Sequence, residues 1–491
     1  MKFSKEYLRD SIYACWLGKN IGGTIGTPYE GGREILDISG FNSEPGQPLP
    51  NDDLDLQLVW LRAMDELGPE NVNSKTLGEY WLGFVKPHWN EYGVGKANMR
   101  GGILPPLSGE MFNEHWKNSN GAWIRTEIWA SLYPGNVEKA VRYAFEDASV
   151  DHGFAEGSYA AIFVAAMESA AYIFKDIRTL IKIGLSKIPA DCRVAKAVRL
   201  VVECYDKGID WKRVRELLVE QSADIGWFQA PANVAYVILG LLYGECDFKK
   251  SVILAVNCGD DTDCTGATAG ALLGIMHGMA GIPEDWRQYI GDSIITCCVL
   301  NGHGKFPRSC TELTECVMNM LPVTLKTGMQ DYIRTGKVQV TIGDENDFSG
   351  IKPENYMGTA LVDSMSLRTR WSFSIDSPFA EAIISYDRQP VIAPGETLTG
   401  KINLIPHTLP EARQFRLKWV LPEGWQVSGR KCIFTAECRG FNSECASDIA
   451  DAETTFTITA GENVDAVNNI ILDITAPDRP THLFVPITVL G

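Results

Sequence analysis

Apolar residues recur at three- and four-residue steps from the start of the chain, where Leu8, Ile12, Cys15 and Trp16 mark one face of a helix over residues 6–20. Gly18, Gly22 and Gly26 then fall four apart, which lines a helix face with glycine and lets a neighbouring backbone come near. Pro28 ends that helix and leaves Glu30 on a loop. A second helix follows Asn51-Asp52-Asp53-Leu54-Asp55, with Leu54, Leu58, Leu61 and Met64 on one face. From about 70 to 335 the spacing stays helical nearly throughout, with Trp- and Gly-containing loops between helices. Within it, Gly266, Ala267, Ala269, Gly270, Ala271 and Gly274 make a helix with almost no side-chain bulk, suited to close packing in the middle of a domain.

After about residue 335 the period shortens to two. Val338 to Ile342, Trp371 to Ile375, Lys401 to Ile405, Phe415 to Val420, Thr455 to Thr459, Ile471 to Ile474 and Phe484 to Val489 alternate apolar and polar residues between turn signals. Several short strands of this kind predict an all-β immunoglobulin-like sandwich, in which Trp419 and Trp425 belong to the core. The turns Pro394-Gly395-Glu396 and Leu421-Pro422-Glu423-Gly424-Trp425 resemble those of bacterial accessory Ig-like modules. The expected organisation is a helical domain over residues 1–335 and a β-sandwich over 336–491.

Composition narrows the function. A formal charge of -17 argues against a general binder of nucleic acid or anionic membranes. No apolar run approaches the roughly 20 residues of a membrane span, and Met1 to Asp10 does not read as a secretory signal, so cytoplasmic residence is the default. The 13 cysteines lack a paired framework and are expected to be reduced thiols, Cys432, Cys438 and Cys445 among them.

Candidate chemistry sits at two helix starts. Asp260, Asp261 and Asp263 repel one another just before the small-residue helix, and capping that helix needs only one of them. Asp52 and Asp53 open the other helix, and two acidic helix starts some two hundred residues apart can converge on one dication through oxygen ligands. Such donors suit Mg, Ca or Mn; with 7 histidines and no paired His spacing, zinc has little support. Asn120-Gly121-Ala122 with Arg125, and Asp151-His152-Gly153, are further loops leading into core helices.

Taken in order, these segments resemble the ADP-ribosylglycohydrolase superfamily over roughly residues 8 to 300. Gly18 through Glu30 resembles its glycine-rich helix and Gly-x-Pro-x-Glu loop, and Asn51-Asp52-Asp53 its Thr-Asp-Asp. Asn120-Gly121-Ala122 with Arg125 resembles its Asn-Gly-Ala-x-x-Arg, His152 its Thr-His pair, and Asp261-Thr262-Asp263 its last Asp-x-Asp. The resemblance implies an all-α orthogonal bundle, two magnesium ions (or manganese) held by Asn51, Asp52, Asp53, Asp261, Asp263 and Cys264, and catalysis by Glu30, Asp53 and Asp261. It further implies that Asn120, Gly121, Arg125, His152 and Gly259 contact an ADP-ribosyl or related ribosyl substrate whose glycosidic bond is hydrolysed. Several positions depart from the pattern. Leu54 stands for a threonine and cannot ligate, Gly23 for an aspartate, and Cys264 offers soft sulfur for a threonine oxygen, so one ion position is expected to be weaker unless Asp260, Asp55 or Thr265 supplies a replacement. The alternatives are an ADP-ribose or nucleotide reader without catalysis and a metal-dependent phosphoesterase; oligomeric state is open.

Overall fold

The computed structural model describes the whole chain except residues 301–304, 326–339, 359–368, 407–412, 436–452 and 477–479. It divides into two compact units, Met1–Lys96 with Phe112–Asp363, and Ala97–Met111 with Ser364–Gly491. The expected boundary at 335/336 lies outside the described residues.

The first unit is helical. Of the sixteen α-helices in the described residues, all but the short Leu107–Glu110 turn lie wholly or mainly in it. Its axis is the pairing of the first helix, Lys5–Gly26, with the central helix, Thr262–His277. Ser4 starts the first helix by accepting a hydrogen bond from Tyr7 N. The expected glycine face is where the two backbones meet. A Cβ at Gly18 would lie 2.2 Å from Gly270 O, at Gly22 1.9 Å from Gly266 O and at Gly26 2.2 Å from Thr262 O. From the other side, a Cβ at Gly274 would lie 2.2 Å from Ala14 O. None of these separations is sterically possible, so glycine is required for this crossing. Thr262 Oγ1 donates to Gly26 O at 2.8 Å and pins the end of one helix to the start of the other.

One expectation needs correction. The segment read as the first sandwich strand instead pairs in parallel with the N-terminus of the helical unit, β1 (Lys2–Ser4) beside β2 (Thr341–Gly343). The reason is local: Phe3 is buried against Tyr7, Tyr172 and Phe348, which fixes the terminal strand in place and offers its edge. Val338 and Gln339 lie outside the described residues.

The second unit holds the antiparallel sheets. One has the order β3 (Ser372–Asp376), β4 (Ala380–Tyr386), β5 (Thr397–Pro406), β9 (Glu453–Thr459), β7 (Gln426–Gly429). The other runs β11 (His482–Leu490), β10 (Val467–Thr475), β6 (Arg413–Val420), β8 (Cys432–Thr435). Inward residues of both sheets, such as Ile384, Ile402, Phe456, Phe415, Leu472 and Val485, form one apolar cluster. Trp425 is buried in it and Trp419 packs on Phe456, as expected for core. Ile103, Leu107 and Met111 join the same cluster, which explains why residues 97–111 belong to this unit despite their place in the chain. Cys438 and Cys445 lie outside the described residues. No helix among the described residues is long and apolar enough to cross a membrane.

The crossing makes a stability prediction. Gly22→Ala should destabilise the chain by about 1–3 kcal/mol or more, because backbone rather than a side chain must move, whereas Gly83→Ala, whose Cβ would meet nothing within 4 Å, should not. Urea unfolding midpoints of the two variants against the parent measure the difference.

Candidate functional site

The helix crossing delivers two loops to one place. After Gly26 the chain makes a single 3-10 turn, Thr27–Tyr29, and presents Glu30. Gly31 N donates to Asp260 O at 2.8 Å and Asp260 N donates to Gly32 O at 2.6 Å, so the Glu30 loop is bonded backbone to backbone to the turn that precedes the central helix. Asp260 adopts φ +69, unusual for a residue with a Cβ, and its side chain is fully used there: Oδ1 accepts from Phe228 N at 2.9 Å and Oδ2 from Asn233 Nδ2 at 2.9 Å. Gly259, at φ +75, has no room for a Cβ, which would meet Glu34 O at 2.5 Å and Gly32 O at 2.7 Å. Gly259 therefore serves the loop junction and does not line the cavity beside it.

That cavity, of about 520 Å3, is lined by Glu30, Asn51, Asp52, Glu91, Asn120, Gly121, Asp261, Asp263, Cys264 and Cys297, with Trp89, Tyr92, Trp116 and Phe228 as its aromatic wall. Ligand atoms of Glu30, Asp261 and Asp263 lie within 4.8 Å of one another, as do those of Asp53, Asp263 and Cys264. The acids from the two distant helix starts thus converge. Asn51 caps the Asp52–Leu67 helix, its Oδ1 accepting from Asp53 N at 2.7 Å, while its Nδ2 lies 3.4 Å from Asp263 Oδ2. Asn120 Nδ2 donates to Asp261 Oδ2 at 2.7 Å and Tyr92 OH to Asp52 Oδ2 at 2.9 Å.

Among the described residues, no protein group balances these charges. Lys19, fully buried beneath the site, donates to Glu127 Oε1 at 2.7 Å and stands 3.7 Å from Asp53 Oδ2. Burial works against its charge, but Glu127 and Asp53 hold the ammonium above its ordinary value. One cation shared with Glu127 cannot offset the acids around it. The cavity lining contains no Lys, Arg or His among the described residues. Asp53 Oδ2 and Asp263 Oδ1 are buried without a hydrogen-bond partner among the described residues. The consequence is a set of carboxyls pushed upward: Glu30 to about 7, by Asp263 first and then burial; Asp52 by burial and Asp263; Asp53 and Asp261 chiefly by burial. Orphaned, crowded carboxylate oxygens are what a hard dication would satisfy, so the residues present fit one.

Other expected site residues have different roles. Arg125 is fully buried; its guanidinium bonds Asp147 Oδ1 at 2.9 Å, Asp151 Oδ1 at 2.8 Å and Gly121 O at 2.6 Å, and it stacks over Trp81. His152 lies behind the wall, with Nδ1 2.8 Å from Asp151 Oδ1 and Nε2 3.2 Å from Ser119 Oγ. Both build the wall that carries Asn120 and Gly121 and neither lines the cavity. Gly121 is glycine for space, since a Cβ would lie 2.3 Å from Glu91 Oε1. Of the three proposed replacement donors, Asp260 is engaged as above, Thr265 Oγ1 bonds Thr262 O at 3.2 Å, and Asp55 is held through Oδ2 by the backbone of Cys297 and Cys298, turned away from the acidic pair to another cluster. Cys264 does not stand as a thiolate, because burial, Asp261 and Asp53 hold its thiol far up; it donates to Asp53 Oδ1 at 3.4 Å.

Residues 4–313 match the family model described as ADP-ribosylglycohydrolase. This chain belongs to the ADP-ribosylglycohydrolase family. An uncharacterized protein of Archaeoglobus fulgidus is 26% identical over 307 residues, covering 58% of this chain and 93% of that protein. The ADP-ribosylarginine hydrolase Tri1 of Pseudomonas putida is 38% identical over 52 residues, 11% of this chain and 14% of that protein. The solved structure of an ADP-ribosylglycohydrolase-related protein complex is 21% identical with a TM-score of 0.44, covering 65% of this chain and 99% of that one. Within this ADP-ribosylglycohydrolase chain, two departures from the expected motifs fit each other: a side chain at Gly23 would meet Asn51 Nδ2 at 2.5 Å, so the glycine makes room for the asparagine. Glu91, buried with Oε2 unpartnered, and Tyr92 escape a motif reading because Trp89-Asn90-Glu91-Tyr92 carries no spacing signal of its own.

The raised carboxyls set a pH prediction for the metal-free protein. Between the ordinary glutamate value of 4.5 and about 7, folded Glu30 retains protons that the unfolded chain has released, so stability falls as pH rises through that window. Denaturation midpoints measured from pH 4.5 to 7.5 in chelator should show the fall, and a divalent cation should flatten it.

Proposed function

We propose that this chain is a divalent-cation-dependent hydrolase that cleaves the glycosidic bond between an ADP-ribosyl, or related ribosyl, group and the nitrogen or oxygen of its acceptor. The observation that carries this reading is the meeting of Glu30, Asp52, Asp261 and Asp263 at one cavity, with Asp53 beside Asp263 and Cys264 and with Asp53 Oδ2 and Asp263 Oδ1 buried and without a hydrogen-bond partner among the described residues. Asp52, Asp53, Asp261 and Asp263 would hold magnesium or manganese, and Asn51 and Cys264 would support Asp53 through an amide cap and a thiol hydrogen bond. When bound, such an ion supplies charge stabilisation for the ribose hydroxyls and acidifies water.

The chain's own groups do the rest. Glu30, on the loop rim and raised to about 7 by Asp263 and burial, is placed to accept a proton from attacking water or to support positive charge at the anomeric carbon. Asn120 orients Asp261 through its 2.7 Å bond, and Tyr92 does the same for Asp52 at 2.9 Å. Trp89, Trp116 and Phe228 offer apolar faces suited to a nucleobase or sugar. On this reading the unit of Met1–Lys96 with Phe112–Asp363 carries the reaction, and the unit of Ala97–Met111 with Ser364–Gly491 is an accessory module.

Incubation of the purified chain with ADP-ribosylated proteins and small ADP-ribosyl compounds, with and without chelator, tests the proposal. Free ADP-ribose should be released and chelation should stop it. Glu30→Gln and Asp261→Asn should each lower kcat by about 10²–10⁴-fold with an unchanged circular dichroism spectrum. Release of phosphate, or tight binding without product, would favour a phosphoesterase or a reader instead.

A further inference from the structure

Outside the acidic centre, the fold brings two adjacent cysteines to a buried aspartate. Asp55 lies in the first turn of the Asp52–Leu67 helix and has no solvent exposure. Its Oδ2 accepts from Cys297 N at 2.6 Å and also from Cys298 N, which fixes the backbone of the pair. Its Oδ1 is buried and has no hydrogen-bond partner among the described residues. The sulfurs of Cys297 and Cys298 are 3.6 Å apart, and a carboxylate oxygen of Asp55 and both sulfurs lie within 4.8 Å of one another. Cys298 is buried, whereas Cys297 is exposed and lines the catalytic cavity, which gives ions a route in.

The spacing discriminates between chemistries. Thiolates sit about 2.3 Å from a tetrahedral zinc ion, which separates two of them by about 3.8 Å. A disulfide requires about 2.05 Å. The observed 3.6 Å excludes a disulfide and is within reach of the first, and a carboxylate oxygen of Asp55 supplies a third donor. Two sulfurs and one oxygen favour a thiophilic ion over magnesium, and three protein ligands leave one position for water.

We propose that Asp55, Cys297 and Cys298 form a binding site for a thiophilic divalent cation of the zinc class, distinct from the oxygen-lined acidic centre. Binding releases the thiol protons to solvent and involves no redox step. The site shares no ligand with the acidic centre, so the two can be separated by mutation.

The test uses the full-length chain, reduced and stripped of metal, titrated with cobalt(II) alone. Near-ultraviolet thiolate-to-cobalt charge-transfer absorption should saturate at one equivalent and be bleached by zinc but not by excess magnesium. Cys297→Ser and Cys298→Ser should each abolish it, while Cys264→Ser and Asp261→Asn should leave it unchanged. If Cys298→Ser does not fold, the exposed Cys297→Ser decides alone. Absence of the absorption, its persistence in Cys297→Ser, or its loss in Cys264→Ser would overturn the proposal.

Discussion

Backbone contact between the first helix and the central helix fixes where Glu30, Asp261 and Asp263 can be. Gly18, Gly22 and Gly26 lie against the carbonyls of Gly270, Gly266 and Thr262, so the helices meet with no intervening side chains. Such a contact has little freedom to slide, because a shift along either axis drives Cβ-bearing neighbours into the gap. The end of one helix is thereby registered to the start of the other, and Thr262 Oγ1 on Gly26 O closes the seam. Glu30, four residues beyond Gly26, must then emerge beside Asp261. The paired backbone bonds between Gly31, Gly32 and Asp260 turn that proximity into a fixed position.

Rigidity of this kind is what allows like charges to be kept together. Carboxylates on mobile loops would move apart to relieve their repulsion; here helix packing and a bonded loop junction hold them. Lys19 offsets only part of the cost, since Glu127 is its nearer partner. The remaining imbalance is expressed as raised carboxyls and unpartnered oxygens, both of which a dication would remove.

The sequence made some of this readable and hid the rest for physical reasons. A four-residue glycine spacing has few uses in a helix other than close approach, so Gly18, Gly22 and Gly26 announce their packing directly. Acids clustered at two helix starts exceed what capping needs, so Asp52, Asp53, Asp261 and Asp263 can be paired on chemistry alone. Period-two alternation exposes β3, β5, β6, β9, β10 and β11, whereas the four-residue β7 and β8 are too short to show it and β4 is missed because its buried Ala382, Ile383 and Ile384 run consecutively and break the alternation. Thr341–Gly343 shows why pattern stops short of partner: alternation says strand, and only tertiary structure says which neighbour. Glu91, Lys19 and Glu127 had no local signal, because a buried charge is recognised by what surrounds it rather than by its sequence neighbours.

Arg125 and His152 make the same point about motif-based roles. An arginine next to Asn120 and Gly121 invites a substrate contact, yet its guanidinium is spent on Asp147, Asp151 and the Gly121 carbonyl, away from solvent. Breaking such a buried ionic set by removing one member costs about 3–5 kcal/mol, because the partners stay buried and uncompensated. The bond to Gly121 O means that Arg125 holds the turn from which Asn120 reaches Asp261, while His152, through Ser119, holds the residue before it. Both side chains lie behind the cavity lining: they fix the backbone of a wall, and that wall aims the amide that bonds one carboxylate.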